Sequence, residues 1–85
     1  MKTRKKPLGE QNVIGGRITE IRVSKGIRQK DFISRLQAEG MDINPSSYSK
    51  LEGQTRQITD IEIIAMAKVL RVPVQSFFLN REDVI

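Results

Sequence analysis

The sequence predicts a single all-α domain built from five short helices, and three observations support this fold class. Apolar residues recur three and four positions apart in five segments, which is the spacing of one face of an α-helix. Glycine, proline or a helix-capping residue separates each segment from the next. No segment has convincing strand alternation, and there is no internal repeat. The 85 residues are enough for one domain with one small core.

The first two helices are marked by apolar stripes and by the glycines that follow them. Helix one is predicted to run to about Ser24, and Gly26 then stands where a C-terminal cap is expected. Its buried stripe consists of Ile14, Ile18 and Ile21. Helix two is predicted from about residue 29 to residue 39, with Gly40 as its stop. Its inward-facing residues are Phe32, Ile33 and Leu36.

The stretch NPSSYSKLEG, residues 44–53, is made of residues that are common in loops, yet it predicts a short third helix. Asn44 is a strong N-cap, and Pro45 suits the first helical position, where its missing N–H costs nothing. Tyr48 and Leu51 are three positions apart and share a buried face. The outward-facing residues are Ser46, Ser49 and Lys50.

The fourth helix has the clearest start signal. Thr59 and Glu62 form a capping box, in which each side chain bonds the backbone N–H of the other, a contribution of about 1 kcal/mol. Its apolar face consists of Ile63, Met66, Ala67 and Leu70. Pro73 breaks this helix. A short fifth helix is predicted from the spacing of Val74, Phe77 and Phe78.

Composition excludes several classes of protein. The chain has no cysteine and no histidine, so we expect no disulfide framework, no zinc finger, no metal site and no cofactor. Its carboxylates are scattered and no nucleophile–base or phosphate-loop pattern appears, so we do not expect an enzyme or a small-molecule ligand. No apolar run approaches the roughly 18 residues of a membrane span. The expected location is the cytoplasm.

Positive charge is concentrated in the N-terminal two-thirds of the chain. The net charge is +5, and residues 1–56 hold twelve Lys/Arg against six Asp/Glu, whereas residues 57–85 hold three against four. Such a polarised basic surface favours a polyanionic partner, most commonly nucleic acid. Residues 1–11 are predicted to be a flexible basic arm, with its charges on Lys2, Arg4, Lys5 and Lys6.

Two segments of the sequence resemble the lambda-repressor-like, Cro-type helix-turn-helix regulators of the XRE family. Residues 14–22 with residues 26–32 are similar to the first helix and the start of the second, and residues 59–72 are similar to the fourth helix and the turn after it. The resemblance implies a helix-turn-helix DNA-binding domain over residues 12–80, followed by a tail at residues 81–85. The sequence departs from the family's compact form in one respect, because helix two and the turn before helix three are lengthened by residues 37–42.

The resemblance further implies that the third helix, about residues 45–52, is the recognition helix in the major groove. Gln29 would contact a phosphate at the start of helix two, while Pro45, Ser46 and Lys50 face base edges and Ser49 lies nearby. Short side chains at a helix N-terminus also let its N–H groups approach phosphate. The complete set of expected DNA-binding residues is Arg17, Arg28, Gln29, Lys30, Asn44, Pro45, Ser46, Ser49, Lys50 and Arg56.

Two further expectations concern structure and assembly. Arg22 and Glu52 occupy positions where the resembling family has an ion pair that ties helix one to the recognition helix, so we expect a structural role. The C-terminal part has more apolar residues than one small core needs, which favours a homodimer patch. These residues are Ile64, Phe78, Leu79, Val84 and Ile85.

The function that these patterns favour is sequence-specific binding of double-stranded DNA by a small, dimeric, nucleoid-associated transcriptional regulator, with repression as the expected mode. The side chains expected to read bases are few, namely Pro45, Ser46 and Lys50 with Ser49 nearby. The alternative is therefore a protein–protein interaction module on a helix-turn-helix scaffold that has lost specific DNA readout.

Overall fold

The computed structural model of the chain describes residues 11–78, and this part is all-helical, as the sequence predicts. It contains four α-helices, α1 (Gly15–Ser24), α2 (Gln29–Ala38), α3 (Pro45–Glu52) and α4 (Asp60–Leu70), and then a 3-10 helix (Val74–Phe77). Most of the expected basic arm and the whole tail at residues 81–85 lie outside the described residues.

The apolar stripes predicted for the helices meet in one core. Helix α3 packs against α1 and α2, α4 packs against α2, and the 3-10 helix packs against α4. The ring of Phe32 meets that of Tyr48 edge to face, with centroids 5.6 Å apart. The side chains that are almost completely excluded from solvent are Ile18, Phe32, Leu36, Tyr48, Leu51, Met66, Leu70 and Phe77.

The helix ends follow the capping signals of the sequence. The side chain of Asn44 accepts a hydrogen bond from the backbone N–H of Ser47 at 2.8 Å, and Pro45 takes the first position of α3. Both halves of the capping box are formed, because Glu62 N–H donates to the Thr59 hydroxyl at 3.2 Å and Thr59 N–H donates to the Glu62 carboxylate at 3.0 Å. These bonds satisfy backbone groups that the helices themselves leave without partners.

The prediction of five helices requires a correction, because the last segment is only a single turn of 3-10 helix. Its backbone bonds run from Ser76 to Pro73 and from Phe78 to Gln75, the i to i+3 pattern of a tight turn. Of the three apolar residues whose spacing predicted this helix, only Phe77 is buried. Val74 and Phe78 are 37% and 47% exposed, so the segment has too little buried surface to stabilise a longer helix.

The connection between α2 and α3 spans residues 39–44 and is packed rather than loose. Met41 and Ile43 are buried, and the Gln37 side chain donates a hydrogen bond to the Ile43 carbonyl at 2.8 Å. Gly40 turns the chain with φ +93°, a conformation that glycine adopts at little cost. The turn therefore fixes where α3 begins relative to α2.

Candidate nucleic-acid interface

Helix α3 presents one exposed face, which carries short, mostly polar side chains and one cation. Tyr48 and Leu51 are fully buried, and they hold the helix against the core through its opposite face. The Lys50 side chain forms no ion pair within residues 11–78. The exposed residues of the helix are Pro45, Ser46, Ser49 and Lys50, as the sequence predicts.

The C-terminal end of α3 is fastened to the start of α1 by Asn12. The Asn12 amide nitrogen donates to the carbonyl of Leu51 at 3.1 Å and to that of Arg56 at 2.8 Å. Its amide oxygen accepts from the Gly15 N–H at 2.8 Å. One side chain thus bonds the first turn of α1, the last turn of α3 and the loop beyond it.

Helices α1 and α3 approach each other closely at Gly15, where the space leaves no room for a side chain. A Cβ atom at Gly15 would lie 2.3 Å from the Leu51 carbonyl oxygen, well inside van der Waals contact. At the neighbouring Gly16 the nearest atom to such a Cβ is 3.9 Å away. The position of α3 therefore depends on the absence of a side chain at residue 15.

Glu52, the last residue of α3, is the centre of a hydrogen-bonded network that joins three helices. Arg22 of α1 donates to both carboxylate oxygens, at 2.8 Å and 3.3 Å, forming the ion pair that the family resemblance implies. Gln29 of α2 donates to the same carboxylate at 3.2 Å, and the Tyr48 hydroxyl also donates to it. A further bond from Arg22 to the Ile27 carbonyl, at 2.7 Å, ties in the loop between α1 and α2.

The network changes the acid–base properties of its members. Burial alone would raise the pKa of Glu52, but the hydrogen bonds from Arg22 and Tyr48 and the positive charge of Arg22 outweigh it, so the pKa is lowered. Burial, together with the hydrogen bond to the Glu52 carboxylate, raises the pKa of Tyr48. Near neutral pH the carboxylate is therefore ionised and the phenol is neutral.

A second carboxylate is held in the same way at the start of α4. Arg56 donates to both oxygens of Glu62, at 3.2 Å and 2.9 Å, in a bidentate pair. Burial alone would raise the pKa of Glu62, but the Arg56 bonds and the Thr59 backbone bond outweigh it and lower the pKa.

These pKa shifts predict how stability depends on pH. A glutamate whose pKa is lowered by folding stabilises the folded state fully above its ordinary pKa of 4.5. This stabilisation is lost as the pH falls below that value, because the unfolded chain then binds more protons than the folded chain. Tyr48 acts at the alkaline end of the range. Because its pKa is raised in the folded state, the unfolded chain loses the phenolic proton before the folded chain does above pH 10, and stability falls. We expect the free energy of unfolding to be level near neutral pH and to fall at both extremes.

Urea unfolding at fixed ionic strength across this pH range measures the effect. The variants Glu52→Gln and Glu62→Gln should each flatten the acid limb, because neither amide titrates. An acid limb of unchanged steepness in both variants would contradict the assignment to these two carboxylates.

Several of the predicted DNA-binding side chains already have partners inside the molecule. Gln29 is bonded to Glu52, the Asn44 side chain caps α3, and Arg56 is paired with Glu62. Arg17 donates to the Ser76 carbonyl at 3.0 Å and to Glu20 at 3.1 Å. In this structure these side chains therefore bond groups of the protein itself.

The remaining predicted cations at the start of α2 face solvent. Lys30 forms no ion pair within residues 11–78, and Arg28 is paired at 3.3 Å with Asp31 while its side chain stays 80% exposed. Arg28 is also the N-cap residue of α2 and makes no side-chain cap bond, so the first N–H groups of α2 lack a side-chain cap.

Gly15 and Asn12 were not among the residues predicted for this site. Asn side chains often bond backbone N–H groups a few residues on, as Asn12 does to Gly15, but the sequence alone does not single out this pair. The need for glycine at residue 15 has no local signal, because it arises from the carbonyl of a residue on another helix.

Among residues 11–78, no helix is both long and apolar enough to cross a membrane, and no cluster of three potential metal ligands is present. The chain matches no protein-family model, no curated protein and no solved structure.

Proposed function

We propose that this protein is a sequence-specific double-stranded DNA-binding regulator of the helix-turn-helix, XRE type, with repression as its mode of action, and that α3 is its recognition helix. The observation that carries the proposal is the exposed face of α3, where small polar side chains and the cationic Lys50 are held outward by two fully buried anchors. A rigid helix with short outward side chains suits the major groove, which is wide enough to admit one α-helix.

The start of α2 supplies a complementary contact to the DNA backbone. Its first-turn N–H groups lack a side-chain cap, and the exposed Arg28 and Lys30 lie at the same end. Free N–H groups and the positive end of a helix dipole together favour a phosphate. Gln29 takes part indirectly, because its bond to Glu52 joins the α2 terminus to α3.

Base reading by this surface rests on few side chains. Lys50 suits guanine O6 and N7, Ser46 and Ser49 offer hydroxyls to bases or phosphates, and Pro45 offers apolar contact to a thymine methyl group. Because this set is small, specificity also draws on two half-sites and on DNA shape.

Duplex binding that weakens with salt is the expected result of a titration with mixed-sequence and selected DNA. If a dimer neutralises about 6 phosphates, log affinity should fall against log salt with a slope near −5. Lys50→Glu should weaken binding by about tenfold or more, since it replaces an attraction at the groove by a repulsion. The charge-matched Arg35→Glu, on the exposed side of α2 away from α3, should have a smaller effect.

Selection of preferred sites from random duplexes tests specificity directly, and one enriched sequence is expected. Absence of duplex binding at low salt would contradict the proposal and would favour the interaction module as the function of this scaffold. If Lys50→Glu and Arg35→Glu lowered DNA affinity equally, the affinity would come from the overall positive charge, and this would contradict DNA contact by α3.

We further propose that the regulator is a homodimer that uses the outer face of α4. Ile61 and Ile64 are three positions apart on this helix and are 75% and 61% exposed, a large apolar exposure for a small domain. Phe78 is also exposed, whereas Leu79, Val84 and Ile85 lie outside the described residues. Two half-sites on DNA require two such domains in a fixed relation.

Sedimentation equilibrium at micromolar protein is expected to show a dimer that the double substitution Ile61→Ser/Ile64→Ser converts to monomer. Val23→Ser removes an equally exposed apolar side chain from α1 and serves as the matched control. A parent protein that is monomeric with and without its selected DNA would contradict dimerisation.

A further inference from the structure

A concave surface lies between the C-terminal ends of α1, α2 and α4. This basic groove has a volume of about 860 Å³, and no residue of α3 lines it. Its rim carries four cations, Lys25, Arg35, Lys68 and Arg71. Its floor is apolar, because Ile27 and Val69 are half-buried there and pack against the core.

Most of the positive charge on the rim is not neutralised. Lys68 bridges from α4 to Glu39 at the end of α2 with a 3.0 Å ion pair. The other three cations, Lys25, Arg35 and Arg71, are exposed and form no ion pair within residues 11–78. An excess of positive charge around a concavity concentrates anionic ligands there.

Arg71 holds a backbone conformation that costs the fold stability. It ends α4 in the left-handed region, with φ +59° and ψ +46°, where glycine is the usual residue. Its side chain has no hydrogen-bonding partner within residues 11–78 that would offset this cost. A cation near a helix C-terminus interacts favourably with the dipole, but Lys68 in the last turn of α4 already does so. A strained residue whose side chain lines a groove points to a use for that side chain.

We infer that the basic groove binds an acidic peptide segment of a partner protein, one that carries apolar side chains among its carboxylates. The cationic rim matches the carboxylates, and Arg71 presents the planar fork that binds a carboxylate through two hydrogen bonds. The apolar floor matches the apolar side chains and gives a nucleic-acid backbone nothing to contact. The inference goes beyond DNA binding and does not depend on it, because the two surfaces share no residue.

The test uses a short synthetic peptide of repeated Glu-Glu-Leu units, followed by amide chemical shifts of the isotopically labelled protein. Peptides with Gln in place of Glu, and with Ser in place of Leu, are the ligand controls. We expect the Glu-Glu-Leu peptide to shift the amides of Ile27 and Val69 and to bind more tightly than either control.

The decisive variant is Arg71→Gly, because it separates binding from folding. Glycine relieves the left-handed backbone, so Tm should rise by a few degrees, while peptide affinity should fall by about tenfold through loss of a charge-assisted contact. Lys25→Ser should also weaken peptide binding. Lys30→Ser removes an exposed cation outside the groove and should change peptide affinity by less than about twofold, since it loses only long-range attraction.

Three results would overturn the inference. The first is absence of peptide binding at low salt, and the second is equal affinity for the Gln-substituted peptide. The third is mixed-sequence duplex DNA shifting the groove amides instead of those of α3, which would make the groove a nucleic-acid surface. Loss of DNA binding with peptide binding intact would instead count only against the proposed regulator function.

Discussion

Replacement of Gly15 by alanine is expected to destabilise the domain by about 3 kcal/mol, the upper part of the usual range for overpacking. The added methyl group would lie 2.3 Å from the Leu51 carbonyl oxygen and 3.0 Å from the Glu52 carbonyl oxygen, and neither backbone atom can turn aside as a side chain can. Relief requires α1 and α3 to move apart, which would also stretch the Asn12 bonds between them. For a domain of this size Tm should fall by more than about 10 °C.

Gly16→Ala is the matched control for this experiment. It adds the same methyl group one residue later in α1, where the nearest atom is the end of the Gln54 side chain at 3.9 Å. Alanine is the better helix former, so this variant should be neutral or more stable by about 0.5 kcal/mol. Calorimetric scans of both variants measure the difference, and similar Tm values would contradict the close approach of α1 and α3 at Gly15.

Arg22→Ala is expected to cost about 3 kcal/mol, because it leaves a mostly buried carboxylate without its cation. The side chains of Arg22 and Glu52 are only 10% and 9% exposed, so water cannot replace the lost partner effectively. The Ile27 carbonyl also loses its hydrogen bond. Urea unfolding at neutral pH measures the loss, and DNA affinity should fall with it, because Glu52 fixes the end of α3 and the side chain of Gln29.

An exposed ion pair provides the comparison. Arg28→Ala removes an arginine whose side chain is 80% exposed beside Asp31, and such surface pairs contribute at most about 1 kcal/mol. Adding Glu52→Gln to Arg22→Ala should recover part of the stability, since no unpaired charge then stays buried. If Arg22→Ala and Arg28→Ala proved equally stable, the Glu52 network would have no structural role.

Local chemistry was sufficient to predict most of the helices. The capping box of Thr59 and Glu62, the Asn44–Pro45 start of α3 and the glycines after α1 and α2 each act within a few residues, so their effect can be recognised in the sequence. The outward face of α3 was also predictable, because burial of Tyr48 and Leu51 fixes which side of the helix remains exposed. The fifth segment forms only a turn of 3-10 helix, because the spacing of its apolar residues does not show how little surface they bury.

The partners of the candidate site residues were less predictable. Gln29 was expected at DNA from the family resemblance, and Arg17 and Arg56 because they are basic and flank the presumed surface, yet each bonds a group of its own chain. A long side chain reaches several groups, and sequence spacing does not say which of them folding brings near. The basic groove was unpredictable for the same reason, since its four cations lie on or at the ends of α1, α2 and α4, and the whole of α3 separates α4 from the other two in sequence.

The sequence by itself determined the all-α class, the order of the four α-helices, the N-caps of α3 and α4 and the buried faces of the α-helices, because these follow from interactions between residues a few positions apart. Only the tertiary structure decided that residue 15 must lack a side chain, that Glu52 joins three helices, and that Arg71 lines a groove in a left-handed conformation. The physical reason is that such features depend on the distance and angle between packed helices, and these are set by the whole core at once.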